Sequence, residues 1–375
     1  MSRVDPQAPA AMPLPEDVAL VLQGGGALGS YQGGVAEALI AANIEIDWIA
    51  GISIGAVNAA LIAGNPPECR VAKLRAFWER VSGGLPDLPL WGGDLWREWV
   101  HLASANYVAG VGAPGFFSPR AVNPYLAAPG TPEALSWYDS APLAATLDEL
   151  VDWDRVNDGP MRVSVGAVDV ETGNFHTFDT AETRLDARHV MASGALPPGL
   201  PPVEIDGRLW WDGGIVSNTP LDFVLSHQTA DMLIFQVDLF PARGEMPKTF
   251  VDVMSREKDI RYSSRTRAIT DTLIRRRRER EVVRTALNAM PAEMCGRPEI
   301  VRLRELAHDP AASVVQLIYR ARTWEGGAKD YEFSRGTMEE HWAAGREAVA
   351  AAIKGGDLIA SNLADGATAA FDLSP

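Results

Sequence analysis

In the segment DWIAGISIGAVN, residues 47–58, an apolar strand runs into Gly-x-Ser-x-Gly and directly out into a helix. A serine on such a sharp strand-to-helix turn is lifted out of the surrounding structure, an arrangement called a nucleophile elbow. Gly51 and Gly55 flank the serine because neighbouring backbones pass too close for a Cβ atom. The following helix directs its N-terminal amides towards the serine, where negative charge would develop. The pattern predicts Ser53 as a catalytic nucleophile.

A second glycine cluster lies upstream, in VALVLQGGGALGSY, residues 18–31, between a predicted strand and a predicted helix. Gly24, Gly26 and Gly29 satisfy Gly-x-Gly-x-x-Gly, which is typical of dinucleotide-binding loops. Asp47 follows at about the distance expected of a ribose-binding acid. By itself, this pattern is therefore also typical of a dinucleotide-binding protein.

The alternative makes this loop an oxyanion hole, in which backbone N–H groups converge on the oxygen of a tetrahedral intermediate. The candidate residues are Gly24, Gly25, Gly26, Ala27 and Gly29. A dinucleotide-binding fold has no need of a nucleophile elbow after its second strand, whereas an acyl hydrolase needs both parts. The elbow at Ser53 thus favours the hydrolase interpretation.

A third motif is LWWDGGIVSNTP, residues 209–220, a short apolar strand that ends in Asp-Gly-Gly. A serine hydrolase needs a base that takes the hydroxyl proton and returns it to the leaving group. Asp212 can serve if burial raises its pKa, with Gly213 and Gly214 shaping its loop. Taken alone, Asp-Gly-Gly also fits a simple turn.

A Ser-His-Asp triad is the nearest rival mechanism. Ser53, Asp212 and His227 satisfy the chain order of such triads, but His227 falls where a helix is predicted to end. A helix C-terminus favours histidine for reasons unrelated to catalysis. His189 fits a positioning role and a structural role equally well.

The three motifs, at residues 24–29, 51–55 and 212–214, resemble in order and spacing the signatures of the patatin-like phospholipases. The stretch HVMASGALPP, residues 189–198, also resembles the segment that precedes the aspartate strand in that family. The resemblance covers about residues 17–240. The region beyond it is similar to a C-terminal extension of some bacterial members.

The resemblance implies a Ser-Asp dyad, with Ser53 as nucleophile, Asp212 as base and the glycine loop as oxyanion hole. It also implies lipid acyl esters as substrates, with no metal and no cofactor. Gln23 replaces a different polar or acidic residue found before the glycines in many members. That departure affects nothing central to the proposed chemistry.

Alternation of strands and helices predicts an α/β fold with a mainly parallel sheet and helices on both faces. The predicted strands are 18–23, 46–52, 161–169, 209–211 and 232–239, and the predicted helices 30–42, 54–64 and 70–81. Phe175 to Phe178 should pair back on the third strand as a hairpin. Between residues 77 and 119 an aromatic-rich irregular insertion is expected, either a lid or acyl-chain wall, or core packing.

Composition sets the remaining expectations. A chain of 375 residues, 47% of them hydrophobic, can bury a sizeable core. Cys69 and Cys295 make neither a disulfide framework nor a metal site, which favours the cytosol. No apolar run reaches the roughly 18 residues of a membrane span. The predicted division is a disordered tail at 1–16, a catalytic domain at 17–240, a mostly helical extension at 241–355 and a C-terminal tail at 356–375.

Charge is unevenly distributed. The chain has a net charge of −15, yet residues 248–304 contain 15 Lys or Arg against 8 Asp or Glu. The densest part, Arg275 to Arg278, lies in a predicted long helix at about 256–284. This helix is either a solvated face or a peripheral docking surface for anionic membrane. A nucleic-acid partner is not expected, and the pattern leaves the oligomeric state open.

The predicted function is hydrolysis of a carboxylic ester in a lipid-like substrate through an acyl-enzyme on Ser53. Substrate alternatives are phospholipids, lysophospholipids, neutral acyl esters and short hydroxyacid oligoesters. Rivals of a different class are a dinucleotide-binding protein and a catalytically silent lipid-binding protein.

Overall fold

The computed structural model describes residues 14–84, 93–322 and 324–373. Its strands are β1 Asp17–Leu22, β2 Trp48–Gly51, β3 Ser118–Pro119, β4 Tyr138–Asp139, β5 Arg162–Asp169, β6 Phe175–Asp179, β7 Val203–Ile205, β8 Arg208–Asp212, β9 Met232–Asp238, β10 Ala312–Ile318 and β11 Thr368–Asp372. Its helices are α1 Ser30–Ala41, α2 Ile54–Ala63, α3 Pro67–Val81, α4 Asp94–Val111, α5 Pro132–Leu135, α6 Ala141–Leu150, α7 Trp153–Asp158, α8 Ala187–Ser193, α9 Leu221–His227, α10 Phe250–Asn288, α11 Ala292–Cys295, α12 Pro298–Leu306, α13 Arg335–Lys354 and α14 Gly356–Ala364. Short 3₁₀ turns occur at Gly26–Gly29, Pro124–Leu126 and Gly213–Ile215.

The main sheet has the strand order β11-β10-β9-β1-β2-β5-β8-β7, and β6 also pairs with β5. Every pairing from β11 to β5 is parallel, whereas β6, β7 and β8 pair antiparallel. Parallel sheets are buried on both faces, because the helical connections cover them. The expected mainly parallel sheet is confirmed.

Strand β1 shows how the two faces of the sheet are used. Val18, Leu20 and Leu22 belong to one buried cluster together with apolar side chains of α1, α2, α3 and α13. Ala19 and Val21 point the other way, into a smaller cluster with α9. Since successive side chains of a strand alternate between faces, the sheet is covered on both sides, as expected.

The predicted strands and helices form within a few residues of the expected bounds, including the β5–β6 hairpin. The region after residue 240 is mostly helical, as expected, but it also adds β10 and β11 to the sheet. Residues 356–373 form α14 and the edge strand β11, whose backbone pairs in parallel with β10, instead of the expected tail. Residues 1–13 of the predicted disordered tail lie outside the described residues.

The aromatic segment between residues 77 and 119 is less irregular than predicted, because α4 forms within it between Gly93 and Gly112. The breaks in the pattern are these flanking glycines, of which Gly112 has a positive φ of 87°. Trp78 is buried in the core. Residues 85–92, including Trp91, lie outside the described residues. Phe116 and Phe117, after the helix, line the cleft described below.

Helix α10 confirms the long helix expected around residues 256–284 and runs against the direction of the parallel strands. Tyr262 stacks on Phe240, just beyond the carboxyl end of β9, with ring centroids 4.7 Å apart. Farther along, the buried Arg277 donates to the carbonyl oxygens of Leu225 and Pro310, which precede β9 and β10. The basic part of α10 therefore lies at the amino edge of the sheet.

Candidate active site

Ser53 stands at the turn between β2 and α2 with φ 55° and ψ −121°, a conformation rare for a residue with a side chain. The turn is too tight for larger neighbours. A Cβ on Gly51 would lie 2.3 Å from the carbonyl oxygen of Gly55, and one on Gly55 would lie 2.4 Å from that of Leu22. The backbone N–H of Ser53 donates to Ser193 Oγ at 3.0 Å. The sharp strand-to-helix turn expected at Ser53 is present.

The sheet itself brings Asp212 to Ser53. Strand β2 pairs with the first half of β5, up to Gly51 opposite Val165, and β8 pairs with the second half, starting with Asp212 opposite Ala167. Both lie on the same side of β5, since β6 occupies the other side. Because β2 is parallel and β8 antiparallel to β5, their ends meet. Ser53 and Asp212 consequently line one cleft.

Asp212 is buried, and its environment sets its proton affinity. Burial raises the pKa of Asp212 to about 6, because a carboxylate is less well solvated inside the protein. Interaction with the Ser53 hydroxyl and the Gly214 amide, which donates to Oδ1 at 2.7 Å, works in the opposite direction. A carboxylate with this pKa can accept a proton near neutral pH.

The glycine loop divides into bonded and unbonded amides. The N–H of Gly24 donates to the carbonyl oxygen of Asn218 at 3.2 Å, and the N–H of Ala27 donates to that of Asp330 at 2.7 Å. Among the described residues, the amides of Gly25 and Gly26 have no acceptor. Both line the cleft beside Ser53. Of the predicted oxyanion donors, these two are available to a substrate.

Gly29 and Asp47 have other roles. A Cβ on Gly29 would lie 2.5 Å from Ile54 Cγ1, so the position is small to let α1 pack against the start of α2. Asp47 precedes β2 and its carboxylate accepts from the N–H of Val18 at 2.8 Å, at the amino edge of the sheet. A ribose-binding acid would lie at the opposite edge, next to the glycine loop. The dinucleotide interpretation therefore has no ribose-binding acid at Asp47.

Two kinds of residue line the cleft. The apolar ones are aromatic and aliphatic: Phe116, Phe117, Tyr138, Leu196, Leu200 and Phe333. Asn218, Tyr262 and Asp330 add polar side chains to the lining. An apolar cleft with a few convergent polar groups is typical of a small-molecule site.

Neither His227 nor His189 lines the cleft. His227 ends α9 before β9, and its Nδ1 lies 2.9 Å from the carbonyl oxygen of Phe223. His189 is buried at the start of α8, where its Nδ1 accepts from the N–H of Asp186 at 3.0 Å in a capping box. Both positions are explained by helix ends.

Three parts of the site are absent from the sequence prediction. Asn218 and Ser193 hold the glycine loop and the elbow, and the segment of residues 325–334, here called the strap, supplies Asp330, Tyr331 and Phe333 to the cleft. Ser193 falls within a stretch that already resembled a family segment. Nothing in the local sequence around the strap indicates its place beside the glycine loop.

A family model described as patatin-like phospholipase matches residues 20–225, more than half of the chain. The chain belongs to the patatin-like phospholipase family. A second model, described as patatin phospholipase, matches residues 260–362, which include the strap. Both the catalytic motifs and the C-terminal region are thus matched by models of patatin phospholipases.

Individual relatives of this patatin-like chain are distant. The patatin-like phospholipase domain-containing protein ZK370.4 of Caenorhabditis elegans is 27% identical over 206 residues, which are 55% of this chain and 12% of that protein. The chain therefore spans a small part of that relative's length.

Solved structures are also similar at low identity. VipD from Legionella pneumophila has 14% identity and a TM-score of 0.36, with 88% of this chain and 67% of that chain covered. Human GIVD cytosolic phospholipase A2 has 13% identity and a TM-score of 0.34, with coverages of 59% and 43%. Among the described residues of the patatin-like chain, no helix combines the length and apolar character needed to cross a membrane.

Proposed function

We propose that this chain is a serine acyl hydrolase that cleaves carboxylic esters of lipids through a Ser53–Asp212 dyad. One observation carries the proposal. The strained serine, a buried carboxylate with a pKa of about 6 and two amides without acceptors line a single cleft. Each group matches one requirement of acyl transfer: nucleophile, base and oxyanion stabiliser.

In the first half-reaction, Ser53 Oγ attacks the ester carbonyl carbon while Asp212 takes the hydroxyl proton. The carbonyl oxygen becomes an oxyanion that accepts from the N–H groups of Gly25 and Gly26. The tetrahedral intermediate collapses, the bond to the alkoxy oxygen breaks, and Asp212 returns the proton to the leaving alcohol. An acyl ester of Ser53 remains.

In the second half-reaction, water attacks the acyl carbon and Asp212 takes a proton from it. The same two amides hold the second oxyanion. Collapse breaks the bond to Ser53 Oγ, which regains a proton from Asp212, and the carboxylic acid leaves. Proton balance is maintained by Asp212 alone, so neither a histidine nor a metal ion enters the scheme.

The mixed lining of the cleft supports an acyl ester with a long apolar part. The aromatic residues, among them Phe116 and Phe333 in contact at 5.8 Å between ring centroids, offer contact surface for an acyl chain, and the polar residues of the lining offer hydrogen bonds to the alcohol portion. Phospholipids, lysophospholipids, neutral acyl esters and hydroxyacid oligoesters all fit this description. Peripheral membrane contact through the basic helix would hold the protein by the edge of the sheet opposite the cleft, because those arginines lie there.

A fluorophosphonate probe tests the function directly, since only an activated serine reacts covalently with it. We expect the probe to label the wild-type chain and to leave Ser53→Ala unlabelled, with peptide mapping locating the adduct on Ser53. Incubation with mixed lipids should release free fatty acids. An unlabelled wild type that retained lipid affinity would instead support the catalytically silent lipid-binding alternative.

A further inference from the structure

We propose that the strap holds the oxyanion hole in its working shape, and that Lys258 and Asp330 are positioning residues for it. The inference rests on the proposed function and concerns a part of the chain that lies far from all three motifs in the sequence. It assigns a catalytic purpose to the C-terminal region.

The strap touches the glycine loop backbone to backbone. The N–H of Ala27 donates to the carbonyl oxygen of Asp330 at 2.7 Å. The approach is so close that a Cβ on Gly26 would lie 2.0 Å from that same oxygen. Gly26 also has a positive φ of 56°. The strap therefore fixes the peptide that follows the two unbonded amides.

A loop of three consecutive glycines does not hold one conformation by itself, because glycine has the widest choice of backbone angles. Its working shape depends on the bonds at its two ends. Gly24 is bonded to Asn218 on one side, and Ala27 to Asp330 on the other. Without the second bond, the amides of Gly25 and Gly26 would spread over several orientations, and oxyanion donors act well only when preorganised.

Two ion pairs with opposite orientation attach the strap to α10. Lys258 Nζ lies 2.6 Å from both carboxylate oxygens of Asp330, and Lys329 Nζ lies 2.6 Å from Asp259 Oδ1. The helix thus supplies the cation of one pair and the anion of the other, and the strap supplies the opposite charge in each. One-residue slippage would bring like charges together, so the pairs fix the register of the strap.

The two pairs differ in burial, which makes one of them testable. The Lys329 side chain is 2% exposed, and removing one partner of a buried pair is strongly destabilising. Lys258 and Asp330 are 26% and 18% exposed, so their pair can be broken with less risk to the fold. The strap also has other anchors, since Glu325 accepts from Tyr319 and Glu332 accepts from Ser104.

The decisive variant is Lys258→Met, with Lys258→Arg as the conservative rescue. Arg280→Met is the matched control. Arg280 lies on the same helix as Lys258 but at the distant edge of the sheet, where its Nη1 lies 2.8 Å from Asp309 Oδ1. The substrate is a soluble p-nitrophenyl ester. Loss of one oxyanion donor costs about a hundredfold to a thousandfold in kcat, so a loosened loop should cost roughly tenfold to a hundredfold, with KM within about twofold. Lys258→Arg and the control should retain wild-type kcat.

The pH profile separates positioning from simple opening of the site. Burial is the main cause of the raised Asp212 pKa, so water entering through a displaced strap would lower the midpoint of the acid limb of kcat/KM. We expect this midpoint to stay in place in Lys258→Met, because only the oxyanion donors are disordered. A midpoint shifted down with the loss of kcat would overturn the proposal in favour of site hydration.

Two further outcomes would also overturn it. One is an unchanged kcat in Lys258→Met, and the other is a loss explained by the fraction of unfolded protein at the assay temperature. If Lys258→Met does not fold, Asp330→Asn serves as the second variant, because it weakens the same pair and keeps the carbonyl acceptor. A wild type that fails to react with fluorophosphonate would refute the proposed function itself, before any variant is compared.

Discussion

Gly24 and Asn218 are bonded to each other twice. The N–H of Gly24 donates to the backbone carbonyl of Asn218 at 3.2 Å, and the Asn218 side-chain Nδ2 donates to the carbonyl of Gly24 at 2.9 Å. Asn218 follows the Asp-Gly-Gly turn, so these two hydrogen bonds join the glycine loop to the loop of Asp212. The proposed base and the proposed oxyanion donors are therefore positioned by one shared contact.

Asn218→Ala should lower kcat by roughly tenfold or more, because the carbonyl of Gly24 loses its donor and the glycine loop is no longer held in one conformation. The control is Asn65→Ala. Asn65 is a buried asparagine whose Nδ2 donates to the carbonyls of Leu61 and Leu150, away from the cleft. It should lower the melting temperature but spare kcat. Equal kcat values in the two variants would contradict the coupling.

Ser53→Ala and Asp212→Asn should each abolish turnover while the circular dichroism spectrum stays that of the wild type. Each change alters few atoms at the end of a strand, so the sheet remains. His227→Ala and His189→Ala should keep substantial activity, since both histidines serve helix ends. Stopped-flow measurement of acylation checks this. A collapse of the acylation rate in folded His227→Ala would replace the dyad with a triad.

The activity should rise with pH through a midpoint near 6, because Asp212 acts as a base only when ionised and burial raises its pKa to about 6. The acid limb of kcat/KM reports this free-enzyme value. A midpoint near the ordinary value for aspartate would mean that Asp212 is hydrated in the working enzyme, which the structure contradicts.

Stability should depend on the same group with a definite sign. Because the folded pKa of Asp212 is raised, its contribution is present at low pH and is lost as pH rises from the unfolded value of 3.8 through about 6. Asp212→Asn should therefore unfold with a free energy roughly 3 kcal/mol higher than wild type at pH 8, and nearly equal at pH 3.5. Urea titrations at both pH values measure the difference.

The glycine loop should respond unequally to alanine. A Cβ on Gly25 meets the flexible end of Leu239 at 2.7 Å, whereas one on Gly26 meets the backbone oxygen of Asp330 at 2.0 Å from a positive φ. Both variants should lose at least about a hundredfold in rate, since each displaced donor is worth about 2.7–4 kcal/mol. Gly26→Ala should lose more, and should also melt earlier. Normal hydrolysis in Gly25→Ala with lost retention on a nicotinamide column would revive the dinucleotide interpretation.

The basic helix should separate vesicle binding from catalysis. Arg275, Arg276 and Arg278 are exposed, whereas Arg277 is buried and holds two backbone carbonyls. Changing the three exposed arginines to serine should release the protein from anionic vesicles at low salt without altering hydrolysis of a soluble ester. Arg277→Ser should lower the melting temperature instead. Binding that survives the triple change and high salt would point to the aromatic segment at 93–117.

Much of the fold could be predicted because its signals are local. About a dozen residues of sequence are enough to predict each of three parts: the strand before Ser53, the glycine loop and the strand before Asp212. The alternation of strands and helices predicts a parallel sheet. The proposed dyad follows from the same motifs. The motifs do not predict that Ser53 and Asp212 meet. That depends on β2 and β8 pairing with the same side of β5, so that the ends of the two strands lie together.

The remaining features depend on contacts between distant parts of the chain. Nothing in the sequence around Asp330 indicates that its carbonyl accepts from Ala27, because a backbone acceptor leaves no mark on residue type. Strand β11, with the sequence TAAFD, lacks a strong alternating pattern and therefore gives little signal in the sequence. In the sequence the four-arginine run looks like one surface, but burial of Arg277 divides it.

The position of β9 has a consequence for biosynthesis. All seven of its residues are buried, and β10 pairs along its whole length, from Met232 opposite Ala312 to Asp238 opposite Ile318. A nascent chain that has reached residue 240 carries all three motifs but exposes this apolar strand with an open edge, a template for aggregation. A fragment ending at residue 240 should therefore precipitate when expressed alone, whereas the full chain covers this edge with β10.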